Sequence, residues 1–389
     1  MGYEDVLKRA QEIAPWIVAA RRELHMHPEL GGQEAYTQRY LENMLEELGI
    51  AHTAYPGQHA VVGLIEGTFP GKTVGLRADM DALPVNETTG LPFASMTPGK
   101  MHACGHDAHM AIALGAARIL LENRDRLHGK VKLLFEPAEE TTGGAREMVA
   151  AGCMENPHVD AVFGLHMSPD QPSGVVFSRP GPMSGASDDI QITVRGRGCH
   201  GAYPERGTDA IVIAAQIITA LQTLTSRNIS PLDSAVVSLG RIEGGTARNV
   251  ICDRVGIEGT LRTLRKETRK LLKERLLSLP GSVAEAMGGA AEVALKDAYG
   301  PVYNDEALHG RLLHLAAELF GQDKIVPRPA PSLGVESFGF FLAKTPGVYY
   351  DLGCGVGSAL HTGDFMVEES CLPAGSALQA AMVMDFLKG

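Results

Sequence analysis

The sequence is short of positive charge, of paired cysteines and of long apolar runs, and each shortage removes a class of protein. Lysine and arginine number 35 against 46 aspartates and glutamates, a formal net charge of −11. A nucleic-acid binder needs basic surface to displace counterions from phosphates, so that class is set aside. No apolar stretch is expected to approach the roughly 18–20 residues of a membrane span. The opening stretch, MGYEDVLKRAQEIAPWIVAARREL, has early acidic residues and an amphipathic pattern. It lacks the basic start, apolar block and small-residue cleavage site of a signal peptide, so the cytoplasm is the expected location. The six cysteines, Cys104, Cys153, Cys199, Cys252, Cys354 and Cys371, are scattered without a Cys-x-x-Cys pair. That usage fits single-site roles and not a disulfide framework. Internal repeats and low-complexity tracts are also lacking.

What is present is ordinary globular composition, 44% hydrophobic and 21% charged, over 389 residues. That length exceeds one ordinary core, so two domains are expected. Residues 4–25 and 34–48 read as helices, with His25-Met26-His27-Pro28 as a helix end and turn between them. Strands at 60–66, 73–78, 131–135 and 160–165 then alternate with helices at 112–122 and 144–151. Such alternation predicts an α/β layer architecture with a mainly parallel sheet. Near 180 the texture changes at a Pro/Gly/Ser-rich connection, SRPGPMSGAS. The following strand-helix-strand-strand-helix-strand order predicts a ferredoxin-like α+β domain inserted at 187–298. The α/β domain accordingly comprises 1–186 and 299–389, the latter with helices at 305–320, 336–343 and 372–387 and a strand at 347–353.

The densest chemistry lies in Met101-His102-Ala103-Cys104-Gly105-His106-Asp107-Ala108-His109. Cys104 and His106, one glycine apart, can aim a thiolate and an imidazole into one small volume, as a metal requires. Taken alone, the stretch reads equally as a helix start with Asp107 near the N-cap and incidental histidines. The polar groups at other strand ends decide between the two. Asp79 and Asp81 follow one strand, Glu136, Glu139 and Glu140 a second, His166 closes a third, and a glycine loop leads from a fourth to His361. Sites in parallel α/β sheets form beyond the carboxyl ends of the strands. Cys104, His106, Glu140, His166 and His361 exceed the ligands of one catalytic zinc, so two divalent ions sharing a ligand are expected. A thiolate among imidazoles favours zinc, with manganese, cobalt or nickel as alternatives to it. The adjacent Glu139 and Glu140 point in different directions in an extended segment, so one can bind metal while its neighbour serves as general base.

At these residues the sequence resembles the M20 family of metallopeptidases and amidohydrolases, in the branch of aminoacylases, hippurate hydrolases, N-acetyl-diaminopimelate deacetylases and auxin-conjugate hydrolases. The matching segments are RRELHMHPELGGQE, LRADMDALPVNETTGLPFAS, MHACGHDAHMAIALGAA, FEPAEE, FGLHMSP, RGRGCHGAYPERGTDAI, GGTARNVICD, EGTLRT and LHTGDF. The resemblance implies a catalytic α/β domain with an inserted lid that mediates dimerisation, and hydrolysis of the amide of an N-acyl amino acid. It makes Cys104, His106, Glu140, His166 and His361 metal ligands, Glu139 the catalytic base and Asp81 the acid that orients a neighbour of the metal site. Asp79 stands where other branches carry a metal-binding histidine. His200 matches a lid histidine that, in relatives, reaches the partner subunit's site to stabilise the oxyanion, and Asn249 a residue associated with substrate polar groups.

The chain departs from the motifs at Glu136, where relatives usually have Gln, and at Cys199, a common Gly position. It also departs at Ser337, where Asp is usual, and at Arg248, where an apolar or aromatic residue is usual. Arg248 near the pocket would favour a substrate with an extra carboxylate. The rival readings are a metallo-carboxypeptidase or dipeptidase with the same machinery, and a non-catalytic metal-dependent binding protein. The expected partners are a small N-acyl amino acid and a second copy of the chain, as a homodimer or higher homo-oligomer, with no nucleic acid and no membrane.

Overall fold

The computed structural model describes residues 3–55 and 57–388. The chain divides into two compact units. The first comprises Met1–Met183, Tyr303–Ala330 and Glu336–Gly389, and the second Ser184–Val302 with Pro331–Val335.

The first unit holds a mixed sheet whose middle is parallel. Its four central strands are, in spatial order, His128–Glu136, Phe69–Asp79, Ala161–Ser168 and Gly347–Gly353, each parallel to its neighbour. Val61–Glu66 and then Ala51–Ala54 add antiparallel strands on one side, and Val176–Ser178 with Ile325–Pro327 close the other. From Phe69–Asp79 the chain goes to the strand on one side, then returns to the strand on the other. That reversal opens a crevice at the carboxyl ends of these strands. The strands are nearly continuous apolar runs because both faces are covered.

The helix His106–Glu122 is buried along almost its whole length. Its neighbours are Ala14–Met26, Cys371–Lys388 and the sheet. It begins six residues earlier than the Ala-rich run marks it, because Gly105 adopts φ 84° at its N-cap. Small residues allow this close packing. A Cβ on Gly115 would lie 2.4 Å from Ser376 Oγ and 2.8 Å from Ile17 Cδ1.

The N-terminal helix expected at 4–25 is two helices, Tyr3–Glu12 and Ala14–Met26. Pro15, in the first turn of the second, has no N–H to continue the first. The helix expected at 336–343 shrinks to Gly339–Leu342, since Glu336 and Ser337 make side-chain bonds described below.

The second unit has the strand-helix-strand-strand-helix-strand order. Its antiparallel sheet runs Ala290–Tyr299, Ala186–Arg195, Arg254–Thr263, Ala235–Gly244. The helices Ala210–Arg227 and Lys266–Ala286 supply Ile213, Ile217, Leu221, Leu272 and Leu276 to a separate core with that sheet. Asp209 caps the first helix by accepting from the N–H groups of Ile211 and Val212. Ala210–Arg227 corrects one expectation. With 18 residues and mean hydropathy 1.3, it is long and apolar enough to cross a membrane by length and composition. Its buried positions recur at helical spacing, as in a core helix that keeps one face outside.

The packing at Gly115 gives a direct test. Gly115→Val should lower stability by about 1–3 kcal/mol through overpacking. Urea unfolding measures this, and an unchanged midpoint would contradict the close approach.

Candidate active site

Four segments deliver side chains to the crevice of the first unit, and the local backbone shows how each is aimed. Gly105, in the left-handed region, turns the chain between Cys104 and His106; a Cβ there would lie 2.8 Å from Met167 Cγ. His106 Nδ1 donates to the carbonyl of Asp81 at 2.8 Å, which leaves Nε2 with a lone pair for the crevice. His166 does the same through the Met167 carbonyl at 2.8 Å, placing its Nε2 3.3 Å from Cys104 Sγ. His361 sits at φ 65°, held by its N–H to the Ala103 carbonyl at 2.8 Å. Its Nε2 lies 3.0 Å from Glu140 Oε1.

Asp81 organises the carboxylates. Its Oδ1 accepts from the N–H of Glu139 at 3.1 Å and its Oδ2 from the N–H of Glu140 at 3.0 Å. The segment turns there because Ala138 has φ 55°, with its N–H bonded to buried Glu34 Oε1 at 2.7 Å. Glu139 Oε1 in turn accepts from the N–H of Ser337 at 3.0 Å.

The donor atoms fall into overlapping clusters. Cys104, His106 and His166 form one, Cys104, Glu140 and His361 another, and His106, Glu139 and Glu140 a third, each with ligand atoms within 4.8 Å of one another. Cys104 belongs to two of them. Among the described residues, the buried atoms His106 Nε2 and Glu140 Oε1 have no partner in hydrogen-bond geometry, although His361 Nε2 makes an ion contact with the second. Converging lone pairs on thiolate, imidazole and carboxylate are what a divalent transition-metal ion requires, so the residues fit such a group.

The electrostatics agree with that donor chemistry. Burial alone would raise the Cys104 thiol, but the charge of His166 and the contact with His106 bring it down to about 7. Burial would likewise raise Glu140, yet His361 and His106 hold it at about 2. Glu139 is different: burial and the nearby Glu336 carboxylate push it well above the usual carboxylate range. A carboxylate with raised proton affinity beside a cation site suits proton transfer.

Asp79 stands with His106 and His109 in a fourth such cluster and is also tied into the structure around it. Its Oδ1 accepts from His109 Nδ1 at 2.5 Å, and its Oδ2 lies 2.7 Å from Arg77 Nη1 and 3.6 Å from His106 Nε2. The Arg77 approach is an ion contact without hydrogen-bond geometry. His109 spends its other nitrogen accepting from the Met167 N–H at 2.9 Å. His102 is buried with both ring nitrogens unpartnered, and burial holds it neutral, with a pKa of about 3.

Sequence reasoning missed two features here. His25 does end a helix, but it is buried, with Nδ1 2.8 Å from Asp107 and Nε2 3.3 Å from Glu87. Arg21 Nε donates to the same Asp107 oxygen at 2.7 Å. This ion network anchors the first turn of the helix that carries His106. The second is Arg77, the hub beneath Asp79. The only hint of it was a basic residue in an apolar strand, Leu76-Arg77-Ala78.

The remaining sequence candidates, His200, Arg248 and Asn249, are exposed in the second unit. The Gly201 N–H donates to the Asn249 carbonyl at 2.8 Å, which places His200 and Asn249 on paired segments.

The double bond of Asp81 to the Glu139-Glu140 backbone predicts a measurable loss. Asp81→Asn exchanges one acceptor for a donor facing an N–H, and should weaken divalent-metal binding about 10- to 100-fold. Competition against a chromophoric chelator checks this, with unchanged affinity the contrary outcome.

Comparison with known proteins adds an independent line. An N-acetyl-L-cysteine deacetylase of Bacillus subtilis is 40% identical over 92% of this chain and 84% of its own length. Thermostable carboxypeptidase 1 of Saccharolobus solfataricus is 38% identical over 98% of both chains. A solved Bacillus subtilis structure, described as a dinuclear metal-binding peptidase of the M20 family, superposes with a TM-score of 0.85 at 34% identity, covering 97% of this chain and 99% of that one. Residues 75–385 match the sequence profile of Peptidase family M20/M25/M40. With a crevice of thiolate, imidazole and carboxylate donors on this fold, the chain belongs to the M20 family of hydrolases.

Proposed function

We propose that this metal-dependent amidohydrolase cleaves the amide bond of N-acyl amino acids. The observation that carries the reading is the placement of Glu139. It stands within 4.8 Å of His106 and Glu140 at the cation cluster, yet is held from outside it by the Ser337 N–H. Cys104, His106, Glu140, His166 and His361 would hold two divalent ions. Zinc is favoured by the thiolate and imidazoles, and manganese, cobalt or nickel suit the same donors. When bound, the ions supply Lewis acidity that polarises the acyl carbonyl and eases deprotonation of water. Glu139 takes the proton from the attacking water and delivers it to the departing amine nitrogen. The acyl-amino-acid substrate class is supported by the named activity of the deacetylase relative.

The second unit has the part of a lid and dimerisation domain in this reading. His200 Nδ1 accepts from the Ala202 N–H at 3.1 Å, so the neutral ring carries its proton on Nε2. That proton is available to a developing oxyanion in the partner subunit. Asn249 and Arg248 engage substrate polar groups, Arg248 a second carboxylate. Self-association is supported by the exposure of Ile211, Val212, Ile242 and Val250 around the edge strand Ala235–Gly244. The six cysteines are all free thiols, which supports a cytoplasmic location.

A carboxypeptidase reading is favoured by one observation, a named carboxypeptidase of near-equal identity. Hydrolysis assays across N-acetyl and N-benzoyl amino acids and dipeptides separate the two. Turnover of the acyl series is expected, and turnover of peptides alone would overturn the reading. Glu139→Gln should abolish turnover while leaving metal content unchanged; retained activity would remove Glu139 from the base role.

Complementation tests the partner's contribution. His200→Ala and Glu139→Gln proteins are each expected to be inactive. Refolded together in equal amounts, they should recover about a quarter of wild-type activity per site, because half the dimers carry one complete site of two. No recovery would place His200 outside its partner's site.

A further inference from the structure

Arg77 is completely buried, and its guanidinium touches four side chains. Nε donates to Glu136 Oε2 at 2.7 Å, and Nη1 lies 2.7 Å from Asp79 Oδ2. Nη2 reaches Ser337 Oγ at 2.9 Å and Glu336 Oε1 at 2.9 Å. Each partner is itself tied down. Glu136 Oε1 accepts from the Ala145 N–H at 2.7 Å. Glu336 Oε1 accepts from the Phe338 N–H at 2.9 Å, and its other oxygen takes the Tyr349 hydroxyl. The Ser337 hydroxyl accepts from Arg77 and faces Glu336 Oε1 at 3.3 Å. The backbone N–H of this same Ser337 holds Glu139 Oε1.

Two consequences follow from this geometry. The Ser337 hydroxyl is held by a guanidinium on a central strand, and the amide of the same residue holds one oxygen of the Glu139 carboxylate. The guanidinium faces three carboxylates, Asp79, Glu336 and Glu136, and the Ser337 hydroxyl, so the residues at 136 and 337 are constrained together. A carboxylate at 136 with a hydroxyl at 337 satisfies it; an amide at 136 with a carboxylate at 337 would carry the same charge. Two acids or two neutral groups would not. Glu136 and Ser337 are both positions where this chain departs from the motif it resembles.

We propose that Arg77 is a positioning residue for Glu139, acting through Ser337, and that Glu136 and Ser337 form with it one charge-balanced unit. The inference rests on the reading of Glu139 as the base. It makes the placement of the base, and not substrate affinity, depend on a buried cation that touches no substrate.

The test uses the full chain loaded with zinc and the N-acyl amino acid it turns over fastest. Glu136→Gln and Ser337→Asp are each expected to lower kcat about 10- to 100-fold, with KM and metal content close to wild type. The double variant should be faster than the slower single by about tenfold, since it restores the charge balance. Ser337→Ala, which removes only the hydroxyl and keeps the amide, should lower kcat several-fold without moving KM. The proposal is overturned if the double variant loses the product of the two single losses, or if Ser337→Ala turns over like wild type. It is also overturned if the single losses simply follow lost metal. Glu139→Gln in parallel separates the two levels. Retained turnover there sinks the base reading, whereas its loss alongside multiplicative single losses sinks only the Arg77 unit.

Discussion

A guanidinium with no access to water sits where three segments of the first unit end, and the architecture of the crevice depends on it. Asp79 and Glu136 close adjacent parallel strands, and Glu336 arrives from the far side of the second unit in sequence. Three carboxylates gathered out of water would repel one another and seek protons. Burial would also strip the proton from Arg77, yet Asp79, Glu136 and Glu336 hold it charged. The cluster is stable only as a whole. Removing one partner of such a buried set typically costs about 3–5 kcal/mol, because the others are left uncompensated. The strand ends are therefore pinned in register with the Glu336-Ser337 segment, and the distance from the sheet to Glu139 is not free to vary.

The second constraint is the Asp81 carboxylate, which spends both oxygens on consecutive backbone amides. A chain held at two successive N–H groups must send the side chains that follow in different directions. That converts a simple Glu-Glu pair into two groups with opposite protonation tendencies. Glu140 is drawn toward His106 and His361 and loses its proton readily, down to about 2. Glu139 has its proton affinity raised by burial and by the Glu336 carboxylate, while its Oε1 accepts from the Ser337 N–H. One local motif thus supplies two carboxylates of opposite protonation tendency, set apart by burial and by the groups each one meets.

These relations explain what the sequence disclosed and what it withheld. The parallel sheet was legible because its strands are apolar runs separated by helices, and the crevice was legible because polar residues follow those runs at once. The βαββαβ order of the second unit was legible for the same reason. Arg77 and His25 were not, since a buried ion network leaves no periodic signature: its members are far apart in the chain and each looks like an isolated charge. The role of Asp79 was open in the sequence, and its carboxylate meets Arg77 and His109, neither of which its neighbours in the chain announce. The break at Ile13 was available in Pro15 and outweighed by the surrounding amphipathic pattern. Strands of three or four residues, such as Val176–Ser178 and Ile325–Pro327, carry too few alternations to be seen.

The same electrostatics bear on where oxyanion stabilisation must come from. Hydrolysis of an amide builds negative charge on the acyl oxygen, and that charge needs donors not already committed. Arg77 is spent on Asp79, Glu136 and Glu336, and Arg21 on Asp107. Neither can turn toward a substrate without leaving a buried carboxylate unpaired. The imidazoles of His106 and His166 each donate one nitrogen to a carbonyl, and against the effect of burial Asp79 and Cys104 raise the proton affinity of the rings, so the other nitrogen takes a proton or a cation from the crevice. A crevice so organised around lone pairs binds cations well and anions badly. In the proposed reading, the charge on the acyl oxygen would call for a bound cation and for a donor brought from elsewhere. An exposed imidazole whose Nδ1 is occupied and whose Nε2–H is free, as in His200, has the required polarity.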